Sequence, residues 1–199
     1  MSITKSQDKP IVIGTPVEIE FAVNEIRKEL AKLSWITHPY FIAQRFLKVT
    51  DGKNMVYPET YCKDPNEDSK KYPYHRLTPD NDYKGMFFFL VGTGTNDFKD
   101  DTTNFITYNV SIIFSVNLEL INFQLLKEGL FTQQLVKEAR KKLTTTKMNH
   151  DFGYNLKTET RDLQEVFRDF QLKDVQSYNR APMQCFRFDL DVTIEEDCI

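Results

Sequence analysis

The chain has 199 residues, of which 40% are hydrophobic and 28% are charged, and its net charge is −3. This length fits one domain, or one domain with a large insertion, and needs neither disulfides nor a metal for folding. The near balance of 26 basic and 29 acidic residues excludes a polybasic nucleic-acid binder, and no apolar run approaches the ~20 residues that cross a bilayer.

The first predicted element is a helix that follows a flexible arm, residues 1–14. Thr15 is suited to cap this helix, Pro16 to its first position and Glu18 to a capping box. Apolar residues then recur every three or four positions, which predicts a helix that packs by one side only. These residues are Ile19, Ala22, Val23, Ile26, Leu30 and Leu33.

A strand, a turn and a strand are the simplest interpretation of residues 40–49, 51–54 and 55–61. Residues 62–84 are polar and rich in proline, so we place a long loop insertion at about 57–84. Loops of this length are uncommon unless they are functional or disordered, and a solvated insertion is the simpler alternative. Because tyrosine is enriched where proteins dock, the tyrosines here are candidate subunit or partner contacts. They are Tyr57, Tyr61, Tyr72, Tyr74 and Tyr83.

Three further segments predict core strands. Residues 86–91 are continuously apolar and end at Gly92-Thr93-Gly94, which predicts a buried strand closed by a turn. Residues 106–118 and 186–195 alternate apolar and polar side chains, which predicts two long strands with one buried and one wetted face. Only Ile113 departs from this alternation in the first of them.

Residues 131–143 predict a second amphipathic helix, with Thr132 as its cap, and residues 154–160 and 165–170 are strand-like. Runs of strands with two substantial helices indicate an α+β domain: an antiparallel sheet with two amphipathic helices packed on one face. The other face would be polar, and either solvated or an assembly surface. We assign residues 15–199 to this single domain.

The sequence contains no motif that predicts catalysis, a cofactor or a metal site. Gly92-Thr93-Gly94-Thr95 lacks the third glycine of dinucleotide-binding loops and the GK[ST] ending of phosphate-binding loops. The histidines, His38, His75 and His150, lie far apart and are interpreted as ordinary loop residues. We therefore expect no catalytic, cofactor-binding or metal-binding residues, and no enzyme.

One acidic row keeps an enzymatic alternative open. Asp189 and Asp191 share one strand face, as metal-binding acids do in some phosphoryl-transfer enzymes, and Asp169 is a third candidate ligand. Arg187 on the same face favours a solvated or intersubunit charge row instead. A metal-dependent enzyme acting on nucleic acid or nucleotides is therefore the weakest of three hypotheses.

The order of elements in the C-terminal half carries a resemblance to a known family. A long alternating strand at 108–118 and an amphipathic helix at 133–143 precede Val166-Phe167-Arg168-Asp169-Phe170, and Arg180-Ala181-Pro182 leads into Cys185-Phe186-Arg187-Phe188-Asp189-Leu190. Residues 105–195, with the first helix, thereby resemble the tail-terminator and tail-completion ring proteins of tailed bacteriophages. The content of Asn, Lys, Phe and Thr is similar to that of crAss-like phages.

This resemblance implies a virion structural protein without catalysis: a ring-forming subunit of the head–tail connector, or neck, that joins or terminates the tail. It implies a homo-oligomeric ring, contacts with neighbouring neck, portal or tail proteins, and DNA that passes through the channel without specific binding. It also implies location at the neck/tail junction of the virion, after assembly in the bacterial host cytoplasm, and no membrane contact. The alternative is a monomeric adaptor that docks a partner through residues 57–84.

Overall fold

The computed structural model describes residues 17–50, 52–61, 74–98, 103–122, 131–145, 152–172, 178 and 181–197. The helices in this part of the chain are α1 (Glu18–Leu30), α2 (Leu118–Asn122), α3 (Phe131–Thr145) and α4 (Leu163–Val166). The strands are β1 (His38–Ile42), β2 (Gln44–Thr50), β3 (Lys53–Tyr61), β4 (Tyr74–Arg76), β5 (Gly85–Phe98), β6 (Thr103–Asn117), β7 (Phe152–Thr160) and β8 (Met183–Asp197).

These strands form two sheets. The five-stranded sheet has the order β1-β5-β6-β8-β7, and the three-stranded sheet has the order β2-β3-β4. The prediction of a fold that contains both helices and strands, with strands in the majority, is confirmed. The five-stranded sheet is not wholly antiparallel, because β1 runs parallel to β5. Its centre is the pairing of β6 with β8, which runs without a register shift from Thr103 opposite Asp197 to Asn117 opposite Met183.

The larger core cluster joins two helices to four strands. Apolar side chains of α1 and α3 share this cluster with those of β5, β6, β7 and β8. The apolar stripe predicted for α1 is largely confirmed, since Ala22, Val23, Ile26 and Leu30 are all buried. The start of this helix differs from the prediction, because its N-cap is Val17, which makes no side-chain capping bond. Thr15 and Pro16 lie outside the described residues.

A second cluster lies on the opposite side of the same strands, since alternate residues of a strand point to opposite faces. It includes Phe88, Ile113, Cys185, Val166, Phe167 and Phe170. The expectation of a polar, uncovered second face is therefore wrong where α4 and the residues after it cover the sheet. Ser111 and Asp189, which the alternation predicts as wetted, are buried on this face.

Two predicted strand boundaries are wrong, and each has a local cause. Residues 40–49 are not one strand, because Ala43 separates β1 of the larger sheet from β2 of the smaller one. Strand β5 does not end at Gly92 but continues to Phe98, with a register shift between Val91 and Gly94. A Cβ on Gly94 would lie 2.7 Å from the ring of Tyr108, so glycine there lets the strand pass beneath the ring.

Three further boundaries differ from the predictions. Residues 165–170, expected as a strand, contain the end of α4 and a turn. Thr132 lies inside α3, which begins at Phe131, and is not its cap. Residues 57–61 of the predicted insertion belong to β3, which pairs with β4. Residues 62–73 of that insertion lie outside the described part of the chain.

Gly85→Ala is expected to lower the free energy of unfolding by about 1–3 kcal/mol, the usual cost of overpacking. A Cβ on Gly85 would lie 2.4 Å from the carbonyl oxygen of Trp35, and a backbone atom cannot swing away. Urea unfolding measures the loss. Gly92→Ala is the control, because the atom nearest to a Cβ at Gly92, the Asn109 carbonyl oxygen, would be 3.2 Å from it. An equal loss in both variants would contradict this explanation.

Candidate interaction surface

The β2–β3 hairpin is attached to the rest of the protein at its base. The Arg45 guanidinium bonds Asp169 Oδ1 at 3.1 Å. The backbone of Val56 exchanges two hydrogen bonds with Gln171, with N···O distances of 3.0 and 3.1 Å. Thr60 Oγ1 donates to the Ile42 carbonyl oxygen at 3.2 Å. The hairpin is therefore held by side-chain and main-chain contacts on both of its strands.

Beyond this base, the hairpin exposes apolar side chains. Leu47 is 66% exposed and Val49 is 69% exposed, the two highest values among the large apolar residues described. Both lie on β2, an outer strand of the three-stranded sheet. Lys48 and Lys53 are exposed beside them. Exposed apolar side chains on an outer strand form a candidate contact surface for another protein.

The candidate contact tyrosines occupy different environments. Tyr57 is 5% exposed, with the Arg76 guanidinium carbon 3.9 Å from its ring centroid. Tyr74 is 39% exposed, and its ring lies 4.6 Å from that of Phe46. Tyr61 pairs with Tyr74 across β3 and β4, and Tyr72 lies outside the described residues. Of Tyr57 and Tyr74, the two whose side chains the structure describes on the three-stranded sheet, Tyr74 is the exposed one.

Tyr83 belongs to a stack of aromatic rings with two histidines. Its ring lies 3.7 Å from that of His38, and its hydroxyl is 3.5 Å from His75 Nε2. The ring of Tyr40 lies between the two histidines, 6.0 Å from His38 and 5.7 Å from His75. The two histidines lie in β1 and β4, not in loops as expected, and His150 lies outside the described residues. This stack joins the two sheets.

Beneath α4 lies a chain of alternating charges that we call the charge chain: Arg45, Asp169, Arg187, Asp189 and Arg168. Its centre, Arg187, is 2% exposed, and Asp189 is 3% exposed. Arg187 Nε donates to Asp189 Oδ1 at 2.7 Å, and Arg187 Nη1 donates to Asp169 Oδ2 at 2.5 Å. The charge chain therefore connects β8 with the segment after α4 and, through Arg45, with the hairpin.

Further hydrogen bonds reach the buried centre of the charge chain. Ser111 Oγ accepts from Arg187 Nη2 at 2.6 Å and donates to Asp189 Oδ1 at 2.7 Å. Thr158 Oγ1 and Arg168 Nη2 donate to Asp189 Oδ2 at 2.6 and 3.1 Å. Buried charges are tolerated when they are paired and hydrogen-bonded in this way.

Asp189 is expected to make stability depend on acid pH. Burial alone would raise the pKa of its carboxyl, but hydrogen bonds from Thr158, Arg187 and Ser111, with the charge of Arg187, lower that pKa from 3.8 to about 2. Because the folded pKa lies below the unfolded one, the contribution is complete above about pH 4 and is lost as pH falls towards 2. It amounts to about 2 kcal/mol.

Urea unfolding of the wild type and Asp189→Asn across this pH range measures the effect. The difference in unfolding free energy between the two proteins is expected to narrow as the pH falls. A difference that stays constant from neutral pH to about pH 2 would show that the Asp189 carboxyl is not linked to folding in this way.

The same contacts bear on the metal-dependent alternative. Asp189 and Asp169 bond guanidinium groups, and Asp191 lies 2.9 Å from the Lys157 ammonium. No group of three or more potential metal ligands is found in the described ranges. Burial raises the pKa of the Cys185 thiol to about 12, so that it stays protonated. These carboxylates act as partners of cations within the fold.

An open polar groove lies between α3 and the end of β7. Its carboxylates already have partners, since Glu159 pairs with Arg140 and Glu138 accepts from the Trp35 indole at 2.9 Å. The groove lacks the apolar enclosure typical of small-molecule sites. It offers surface charge and no enclosed pocket.

The exposed apolar pair on β2 was not predictable from the sequence. Residues 40–49 are predicted as one aromatic and β-branched strand, within which Leu47 and Val49 have no distinguishing feature. The Asp51-Gly52 turn was the available signal, since it places both residues close to the hairpin tip.

None of the helices in the described ranges has the length and apolar character needed to span a membrane. A comparison with models of known protein families and with curated proteins found no match to this chain.

Proposed function

We propose that this protein is a virion structural protein, a ring-forming subunit of the head–tail connector or neck that joins or terminates the tail of a bacteriophage. The anchored hairpin with its exposed Leu47 and Val49 is the observation that carries the proposal. A subunit of an assembly needs a surface that is apolar, exposed and held in one orientation, and the hairpin has all three properties.

The layered fold supports this role. Apolar side chains of α1 and α3 share one core cluster with the five-stranded sheet. We propose that both helices pack on one face of this sheet, with the three-stranded sheet and α4 towards the other. Closed rings form when two different patches of one subunit meet. We propose that the hairpin contributes to subunit contacts and that the polar groove beside α3 faces neighbouring neck, portal or tail proteins. DNA passes through the channel without specific binding.

The charge chain favours a structural role over a metal-dependent one. Asp189 and Asp169, which the enzymatic alternative needs as ligands, are bonded by Arg187. A metal ion at Asp189 would have to displace that guanidinium and the donors from Ser111 and Thr158.

Gold-labelled antibody against this chain, applied to purified phage particles and viewed by electron microscopy, tests the proposed location. Label at the head–tail junction is expected. Disrupted particles are the control, since label that appears only after disruption indicates a buried ring. Absence of label from both intact and disrupted particles would refute the virion proposal.

A monomeric adaptor that docks a partner through residues 57–84 is the second candidate, and the exposed Tyr74, which pairs with Tyr61, favours it. This pair holds the two ends of segment 62–73 together, so residues 63–72 can be replaced by a short glycine turn without cutting β3 or β4. If the segment docks a partner, this replacement abolishes binding and preserves the melting temperature. Unchanged affinity would exclude the segment as the docking site.

A further inference from the structure

The outer strands of the two sheets differ in how they are protected from pairing with another strand. Strand β1 contains Pro39, has an irregular register, and its Pro39 carbonyl accepts from Arg27. Strand β4 has three residues. Strand β7 has a register shift between Leu156 and Thr158, with Lys157 exposed at that point. Short length, proline, bulges and lysine are the usual means of blocking edge-to-edge association.

Strand β2 has one of these protections, the exposed Lys48. Its seven residues, Gln44–Thr50, pair with β3 in one continuous register and include no proline. No described strand pairs with its outer edge. Leu47 and Val49 are its exposed apolar residues, and Lys48 lies between them. A regular strand edge that exposes apolar side chains and is not covered by another strand is a template for pairing.

The register shows which backbone groups point outward. Thr50 pairs with Lys53 across a two-residue turn, which makes this a hydrogen-bonded pair. Hydrogen-bonded pairs alternate along an antiparallel ladder, so Arg45, Leu47 and Val49 direct their N–H and C=O groups away from β3. Val56, opposite Leu47, agrees with this assignment because its backbone bonds Gln171 on the far side of β3.

We propose that β2 pairs with β2 of a second copy of this chain, antiparallel and with Leu47 opposite the partner's Leu47. In this register Arg45 lies opposite the partner's Val49, and the outward backbone groups of both strands meet as hydrogen-bonded pairs. Three such pairs supply about six main-chain hydrogen bonds. The two three-stranded sheets become one continuous sheet.

The side chains of β2 suit a copy of itself in this register. Leu47 and Val49 of both copies form one apolar strip on the same face of the joined sheet. The Arg45 guanidinium bonds Asp169 of its own chain. Lys48 lies opposite the partner's Phe46, so no two cations face each other directly across the twofold axis.

This contact deepens the proposed function by naming a partner for the hairpin, and it rests on that function only in treating the hairpin as an assembly surface. It is isologous, since the same patch is used on both copies, whereas ring closure needs a heterologous contact. The β2 contact therefore joins copies in pairs.

A charge-pair experiment tests the register. Sedimentation equilibrium of the full chain is expected to show a monomer–dimer equilibrium. Leu47→Glu and Leu47→Lys each place like charges opposite each other across the twofold axis, so each is expected to weaken dimerisation by about tenfold. An equimolar mixture of the two variants is expected to restore dimers, because glutamate then faces lysine. Leu120→Glu, an exposed change on α2, is the control.

A second variant tests the backbone pairing. Leu47→Pro removes an outward N–H without removing any β2–β3 hydrogen bond, so it is expected to abolish dimers while circular dichroism and the melting temperature stay close to wild type. A monomeric wild type overturns the inference, as does a mixture of charge variants that fails to dimerise. Because neither result concerns the location in particles, the virion proposal is tested separately by antibody labelling.

Discussion

Arg187→Met is expected to lower the free energy of unfolding by about 3–5 kcal/mol, the usual loss when one partner of a buried ion pair is removed. Methionine keeps an unbranched side chain but leaves the carboxylates of Asp189 and Asp169 without the cation that bonds both. It also removes the donor to Ser111 Oγ. Urea unfolding at neutral pH, followed by circular dichroism, measures this loss.

Arg168→Met is the matched control. Arg168 bonds the same carboxylate of Asp189, but its side chain is 43% exposed, so its removal is expected to cost about 1 kcal/mol or less. Combining Arg187→Met with Asp189→Leu is expected to recover part of the stability, because one uncompensated charge is then removed. Equal losses in the two single arginine variants would contradict the central position of Arg187.

Phe114→Ala is the second substitution with a large expected effect, a loss of about 3–5 kcal/mol. Its ring stacks on that of Phe186 at 4.6 Å with an interplanar angle of 10°, and the rings of Phe87 and Phe188 lie 5.3 and 5.9 Å away. Alanine leaves a cavity at the centre of β6, where the surrounding strands cannot move inward without losing their own pairing.

Thermal or urea unfolding of Phe114→Ala is compared with that of Phe46→Ala. The same atoms are removed at Phe46, but its ring is only partly buried and packs on Tyr74 in the smaller sheet. The loss at Phe46 is expected to be less than half of that at Phe114. A larger loss at Phe46 would place the main stabilising core in the hairpin.

The elements with strong periodicity were predictable from the sequence. Apolar residues at regular spacing predict four elements: the helices α1 and α3 and the long strands β6 and β8. Each of these elements packs one side on the larger core. Long elements repeat their pattern several times, which makes a chance match improbable. The order of the strands in the sheet, with β8 between β6 and β7, depends on long-range pairing that periodicity does not encode.

The short segment around α4 shows why shorter elements were misassigned. Leu163, Val166, Phe167 and Phe170 have helical spacing, while residues 165–170 also contain a partial alternation that suits a strand. The structure resolves this ambiguity through burial, since this segment covers Ile113 and Cys185 on the second face of the sheet. Ile113, the one exception to the alternation of β6, was the residue that indicated a covering element.

The candidate surface was predicted less well, because exposure depends on tertiary contacts. The tyrosine content of residues 57–84 predicted contacts with a partner, but the ring of Tyr57 contacts Arg76 and the ring of Tyr83 contacts His38 within the fold. From the sequence alone, the buried charges of Arg187 and Asp189 could not be distinguished from a row of solvated charges. Alternation specifies the face of a strand on which a residue lies, and not what covers that face.

The attachment of the hairpin to the five-stranded sheet has a thermodynamic consequence. Ala43 is the single residue between β1 and β2, and its N–H bonds the Phe89 carbonyl oxygen at 2.8 Å. With the Val56–Gln171 backbone pair and the Arg45–Asp169 ion pair, this leaves the three-stranded sheet little freedom to rotate. A partner that docks on β2 therefore meets a preorganised strand, and most of the conformational entropy of ordering it was already lost when the monomer folded.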